Sequence, residues 1–135
     1  MIWIGIDPGT HTGIAVWDSK QEAFTAIHTL PIHKALAFVL NEFYTNKEVE
    51  VLFEDARLRK WYGEQTNAKI QGAGSIKRDC TIWEEFLTDY KIPFHAIAPH
   101  KGMTKMNEEY FKMVAHWDKK TSNHARDAAL LVLGR

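Results

Sequence analysis

A mixed α/β fold, with a five-stranded sheet flanked by helices, is the class this sequence predicts, and three observations predict it. The first thirty residues hold three apolar, β-rich segments joined by links too short for a helix, so they form an antiparallel meander. Two further apolar runs, around Val51-Leu52-Phe53 and Pro93 to Ala98, are each reached through a segment of helical periodicity. The chain then closes on alanine- and leucine-rich residues, which are strong helix formers. Strand-strand-strand-helix-strand-helix-strand-helix departs from the strict alternation of a dinucleotide-binding domain.

Taken in order, Ile2 to Asp7, Gly13 to Trp17 and Ala23 to Leu30 read as the meander. His33 to Tyr44 sets Leu36, Val39, Leu40 and Phe43 on one helical face, and Glu50 to Glu54 returns to the sheet. From Asn67 to Asp89, Ile70, Ala73, Ile76, Cys80, Trp83 and Leu87 step by three or four, which marks a long helix despite Gly72 and Gly74. Pro93 to Ala98 is the fifth strand, and a polar loop with Pro99, Gly102 and several lysines leads to a short helix around Asn107 to Ala115. Ser122 or Asn123 is placed to cap the last helix.

The 135 residues fit one domain, expected to span 1–135, since single domains cluster at about 100–150 residues. The hydrophobic share is 45 %, and no apolar run approaches the ~18–20 residues of a membrane span. The N-terminus lacks the basic and small-residue features of a signal peptide, so an intracellular, cytoplasmic protein is expected. The single cysteine, Cys80, excludes an internal disulfide framework and a thiolate zinc cluster. Its spacing from Ile76, Trp83 and Phe86 favours a small core residue over a nucleophile. Lysine plus arginine and aspartate plus glutamate both number 17, so any nucleic-acid contact must come from where the charges sit rather than from their sum.

Asp7 ends an apolar strand, where an ionised carboxylate is costly unless a cation meets it, and a metal ion is the leading candidate. An ordinary Asp-Pro-Gly turn gives the same tripeptide. Glu54 ends the run Val51-Leu52-Phe53 in the same way, so parallel neighbouring strands bring both acids to one end of the sheet. Period two turns Asp55 to the opposite face, where it caps or pairs with Arg57 or Arg59. His124 and Asp127, three apart, share a helix face. Plain helix chemistry is open for both: Asp127 in the first turn favours the dipole, and His124 is a surface residue or a group that orients water.

Ile4-Gly5-Ile6-Asp7-Pro8-Gly9, the strand-end Glu54 and the closing His124-Ala125-Arg126-Asp127-Ala128-Ala129-Leu130, in this order and spacing, resemble the RuvC-type Holliday-junction resolvases of the RNase H-like superfamily. The resemblance spans the chain and is nearer to the small, phage-type members than to the longer bacterial ones. It implies an RNase H-like fold and a metal-dependent endodeoxyribonuclease that resolves four-way or other branched DNA. It also implies catalytic and metal roles for Asp7, Glu54, His124 and Asp127. Many relatives carry Asp where this chain has His124. Two Mg²⁺ or Mn²⁺ ions per site are expected, because hard divalent ions take oxygen ligands and a pair clamps both oxygens of an in-line displacement.

Arg57, Arg59, Lys60 and Trp61 follow Glu54 and are candidates to contact DNA, Trp61 either stacking on an unpaired base or packing on the core. Lys77 and Arg78, with Gln71, on the long helix, and Lys101 and Lys105 in the later loop, are candidate phosphate contacts; solvated surface is the plain alternative for each cluster. Two symmetric nicks imply a homodimer, with the long helix around Ile76, Trp83 and Phe86 as either interface or core. No membrane and no nucleotide cofactor is expected. An actin-like ATPase shares the Asp-Pro-Gly-Thr signature but closes two domains on its nucleotide. A hybrid-cleaving ribonuclease and a non-catalytic junction-binding module are the remaining alternatives.

Overall fold

The computed structural model describes residues 1–58, 67–99 and 106–135, with the backbone alone for 67–73. Five strands form one sheet: β1 (Ile2–Asp7), β2 (His11–Asp18), β3 (Ala23–Pro31), β4 (Val49–Glu54) and β5 (Phe94–Ile97). Their order is β3-β2-β1-β4-β5; β1, β2 and β3 are antiparallel, and β4 runs parallel to both β1 and β5. The helices are α1 (Ile32–Thr45), α2 (Asn67–Asp89), α3 (Glu108–Ala115) and α4 (Asn123–Val132). The predicted elements therefore all occur, with ends displaced by one or two residues. No helix of the described residues is long and apolar enough to cross a membrane.

Alternation along the strands divides the sheet into two dry faces. Ile4, Ile6, Ile14, Val16, Val51 and Phe53 point to one face and pack with Ala35 and Val39 of α1 and Cys80, Trp83 and Leu87 of α2. Ala15, Trp17 and Leu52 point to the other and meet Phe111 of α3 and Ala125, Ala128, Ala129 and Val132 of α4. Trp83 and Cys80 are fully buried within this chain, which makes both core residues. Of the three α2 residues offered as an interface, only Ile76 is substantially exposed, at 41 %.

Local chemistry sets the helix ends. Ile32 donates its amide to the Thr10 carbonyl at 3.0 Å, so the β1–β2 turn supplies the acceptor that Pro31 cannot offer as a side-chain cap. Thr12 closes the same turn by donating Oγ1 to the Gly9 carbonyl at 2.7 Å. Ser122 caps α4, its Oγ accepting the Ala125 amide at 3.1 Å. Because α4 starts at Asn123, Asp127 lies beyond the first turn, so the dipole account of that residue does not hold.

The contact that positions α4 is between backbones. A Cβ on Gly5 would stand 2.0 Å from the Ala128 carbonyl oxygen, and one on Gly13 would stand 2.0 Å from that of His124. His124 and Ala128 are four residues apart, so two successive carbonyls on one helical face rest on two glycines of neighbouring strands. Any side chain there holds the helix off the sheet. Gly13→Ala is expected to destabilise the protein by about 3 kcal/mol or more, at the upper end of overpacking costs, read as a lowered urea midpoint. An unchanged midpoint would show that the seat is not close-packed.

Candidate active site

Strand register brings the acids into line. Asp7 pairs with Gly13, Gly13 with Thr29, and Glu54 with Ile97. Ile6 pairs with Phe53, so the next step along β1 and β4 sets Asp7 beside Glu54. Ile6 and Phe53 belong to the α1–α2 face, and alternation turns Asp7 and Glu54 to the α4 face. Both side chains sit at the ends of buried strands, half-buried themselves.

His124 closes on this row from above. Its Nδ1 lies 2.9 Å from Oδ2 of Asp7. A carboxylate only accepts, so Nδ1 carries the proton and donates, which leaves Nε2 of a neutral ring as an acceptor. The imidazole is 51 % exposed while the Asp7 carboxylate is 14 % exposed, so the histidine is the wet partner. Asp127, one turn further along α4, is half-buried. Asp7, Glu54 and Asp127 each have interaction partners.

Three carboxylates and an imidazole on one face have the chemistry of a site for a hard divalent cation. As the side chains stand, no group of three or more His, Cys, Asp or Glu among the described residues is close enough to hold an ion together. Asp7 and His124 are in contact; Glu54 and Asp127 reach the same face by register and helix spacing.

Asp55 takes the other face and a separate role. Its carboxylate accepts from Arg57 Nε at 2.8 Å and Nη2 at 2.7 Å, and the same guanidinium reaches Oε2 of Glu84 at 2.9 Å. The Arg57 hydrogen bonds hold the Asp55 carboxyl below its ordinary range, against the opposing effect of burial. Arg57, expected as a DNA contact, is thus engaged within the chain, tying the turn Ala56–Leu58 to α2. Burial pushes the neighbouring Cys80 thiol up to about 11, which suits a core residue rather than a nucleophile. Lys77 and Arg78 are exposed on α2. Arg59, Lys60, Trp61, Lys101 and Lys105 lie outside the described residues, as do the side chain and contacts of Gln71.

Arg126 and the two glycines were not singled out from sequence. Arg126 is 8 % exposed and spends its donors on the Met106 carbonyl at 3.0 Å, the Thr121 carbonyl at 2.7 Å and Oδ1 of Asn123 at 2.5 Å. It binds the first turn of α4 to the segments before α3 and α4, and so fixes where His124 begins. An arginine within an alanine-rich helix, between Ala125 and Asp127, was the available signal. Gly5 and Gly13 inside strand patterns marked close backbone approach.

The fold is similar to that of a solved structure, T. thermophilus RuvC in complex with Holliday junction substrate. The TM-score is 0.60 at 17 % sequence identity, over 99 % of this chain and 92 % of that one. The likeness establishes an RNase H-like fold for this chain. No protein-family model matches the sequence, and no curated protein matches it.

The ionisable core network fixes the response to pH. The Asp55 carboxyl is lowered on folding, so its contribution is present at neutral pH and is lost as pH falls through the lowered folded value. The Cys80 thiol is raised, so its contribution is present below the ordinary thiol range and is lost as pH rises through about 11. Denaturant midpoints against pH should fall at both ends, and Asp55→Asn should flatten the acid limb alone. An acid limb equally steep in Asp55→Asn would assign it to other groups.

Proposed function

We propose that this chain is a metal-dependent endonuclease acting on branched DNA, with Asp7, Glu54, His124 and Asp127 as its working residues. The observation that carries the reading is the Asp7–His124 contact at the head of the row formed by Asp7 and Glu54. The likeness in fold to T. thermophilus RuvC in complex with Holliday junction substrate supports it, together with the sequence resemblance to RuvC-type resolvases. Asp7, Glu54 and Asp127 would hold Mg²⁺ or Mn²⁺, and His124 would ligate beside them or orient water. When bound, such ions supply the charge that activates a water and stabilises the leaving oxygen.

The chain's own part is orientation and proton handling. Asp7, at the end of β1 and held by Nδ1 of His124, keeps one carboxylate geometry. Nε2 of His124, on a half-exposed ring, can accept a proton from water. Four-way junctions are the substrate in this reading, cut in paired nicks by a homodimer whose twofold axis matches that of the DNA. Lys77 and Arg78, and the Lys and Arg clusters on either side of the site in sequence, would meet phosphates.

A non-catalytic junction-binding module is the second reading. It is favoured by one observation, that the Asp7 carboxylate pairs directly with the imidazole of His124.

The test is nicking of a labelled four-way junction, an RNA–DNA hybrid and a plain duplex with Mg²⁺ or Mn²⁺. Wild type should nick the junction symmetrically, and Asp7→Asn should lose roughly 10²–10³-fold in rate, the range removed when a principal charge-stabilising group is lost, while keeping its fold and junction affinity. Preferential cleavage of the hybrid would assign a ribonuclease. Junction binding without nicking at any metal concentration would select the module.

A further inference from the structure

Two grooves flank the segment that joins α3 to α4, along the edge strand β3. One, of about 810 Å³, is lined by Phe24 of β3 and by Lys112, His116, Trp117, Asp118 and Lys119. The other, of about 550 Å³, is lined by His28 and Thr29 of β3 and by Lys120, Ser122 and Ala125. Lys119 and Lys120, adjacent in sequence, thus line different grooves, and the second groove reaches Ala125, the residue after His124.

Register gives the scale. Thr29 lies opposite Gly13, and Gly13 opposite Asp7, so Thr29 is two strands from the acid, or about 10 Å. From Thr29 back to Thr25 is four residues, about 13 Å of strand. That is the rise of about four stacked nucleotides, at roughly 3.4 Å each. The surface therefore continues away from the Asp7–His124 pair for the length of a short stretch of one DNA strand.

The charges on it are cationic and partly fixed in place. Lys112, Lys119 and Lys120 stand against one acid of the groove, Asp118. Glu108, in the first turn of α3, accepts the Thr121 amide at 2.9 Å and is turned to the backbone. The Lys119 ammonium lies over the Trp117 ring, 5.5 Å from its centroid, which limits how far it swings. His116 ends α3 in the left-handed conformation, and the Trp117 amide bonds back to the Lys112 carbonyl at 3.1 Å, so the bend that presents Lys119 is built into the helix end. Thr29 and Ser122 hydrogen-bond through their hydroxyls at the active-site end.

We propose that this surface, Lys112, Lys119 and Lys120 along β3, grips the backbone of the DNA strand that leads away from the phosphate held at Asp7. It is separate from Arg57, Lys77 and Arg78 and lies on the opposite side of the sheet order, towards β3 rather than β4. The assignment rests on the DNA-cleaving reading above. It gives a protein of zero net charge a cationic track beginning beside its acidic centre.

The test uses the full chain, its Lys112→Ala/Lys119→Ala/Lys120→Ala variant and the matching triple arginine variant, with a labelled four-way junction titrated over a range of salt. Each phosphate contact contributes about 0.9 to the slope of log K against log salt. The alanine variant should therefore bind with a slope shallower by roughly 2–3 and about ten- to a hundredfold more weakly at moderate salt. The arginine variant should bind as wild type does, and nicking at saturating junction should be unchanged in both. A wild-type slope and affinity in the alanine variant would overturn the assignment while leaving the nuclease reading intact. Failure of the wild type to bind junction, duplex or single strand at low salt would overturn both.

Discussion

The approach of the α4 backbone to the sheet governs everything at the candidate site. A helix normally stands off a sheet by the depth of its side chains, but here the His124 and Ala128 carbonyls lie where Cβ atoms of Gly13 and Gly5 would be. The separation removed is the length of one side chain. That is what lets an imidazole on the helix reach a strand-end carboxylate at 2.9 Å without any loop between them. Arg126, itself buried, secures the same geometry by tying α4 to Met106, Thr121 and Asn123. The seat and the clamp together hold His124 as rigid secondary structure, which suits a group that must keep one orientation.

Charge is distributed so that neighbouring acids do different work. Glu54 and Asp55 are adjacent, yet alternation sends the first towards α4 and the second into the α2 face, where it pairs with Arg57, whose guanidinium also reaches Glu84. The buried ion pair keeps one carboxylate out of the site and anchors the turn after β4 at the same time. In the proposed reading the remaining acids gather divalent cations, and lysines along β3 take phosphates. A formal charge of zero conceals that separation.

Much of this was legible in the residues. Strand alternation and helical spacing located the five strands and four α-helices of the described residues, and pairing of Asp55 with Arg57 or Arg59 and a cap at Ser122 or Asn123 followed from period two and capping chemistry, the structure selecting Arg57 and Ser122. The row of Asp7 and Glu54 was visible because both end apolar runs. The Gly5 and Gly13 seat was not, since a glycine in a strand signals close approach without saying what approaches; only the packed helix supplies the partner. Arg57 was read both as a partner of Asp55 and as a DNA contact, because a local basic run does not reveal Glu84, twenty-seven residues on, which joins Asp55 in engaging it. Of the Lys112–Lys120 surface only the adjacent basic pair Lys119-Lys120 is visible in the sequence, because Lys112 comes from α3 and joins that pair only when the following loop lies along β3.

The central claim is that Asp7, Glu54, His124 and Asp127 form one divalent-cation site seated on Gly5 and Gly13. Titrating the isotope-labelled protein with Mn²⁺ and following paramagnetic broadening of its amide resonances tests this without any substrate. Broadening should begin at Asp7, Glu54, His124 and Asp127, with Gly5 and Gly13 close behind, and should disappear from that region in Asp7→Asn. Broadening centred elsewhere, or unchanged by Asp7→Asn, would contradict the account.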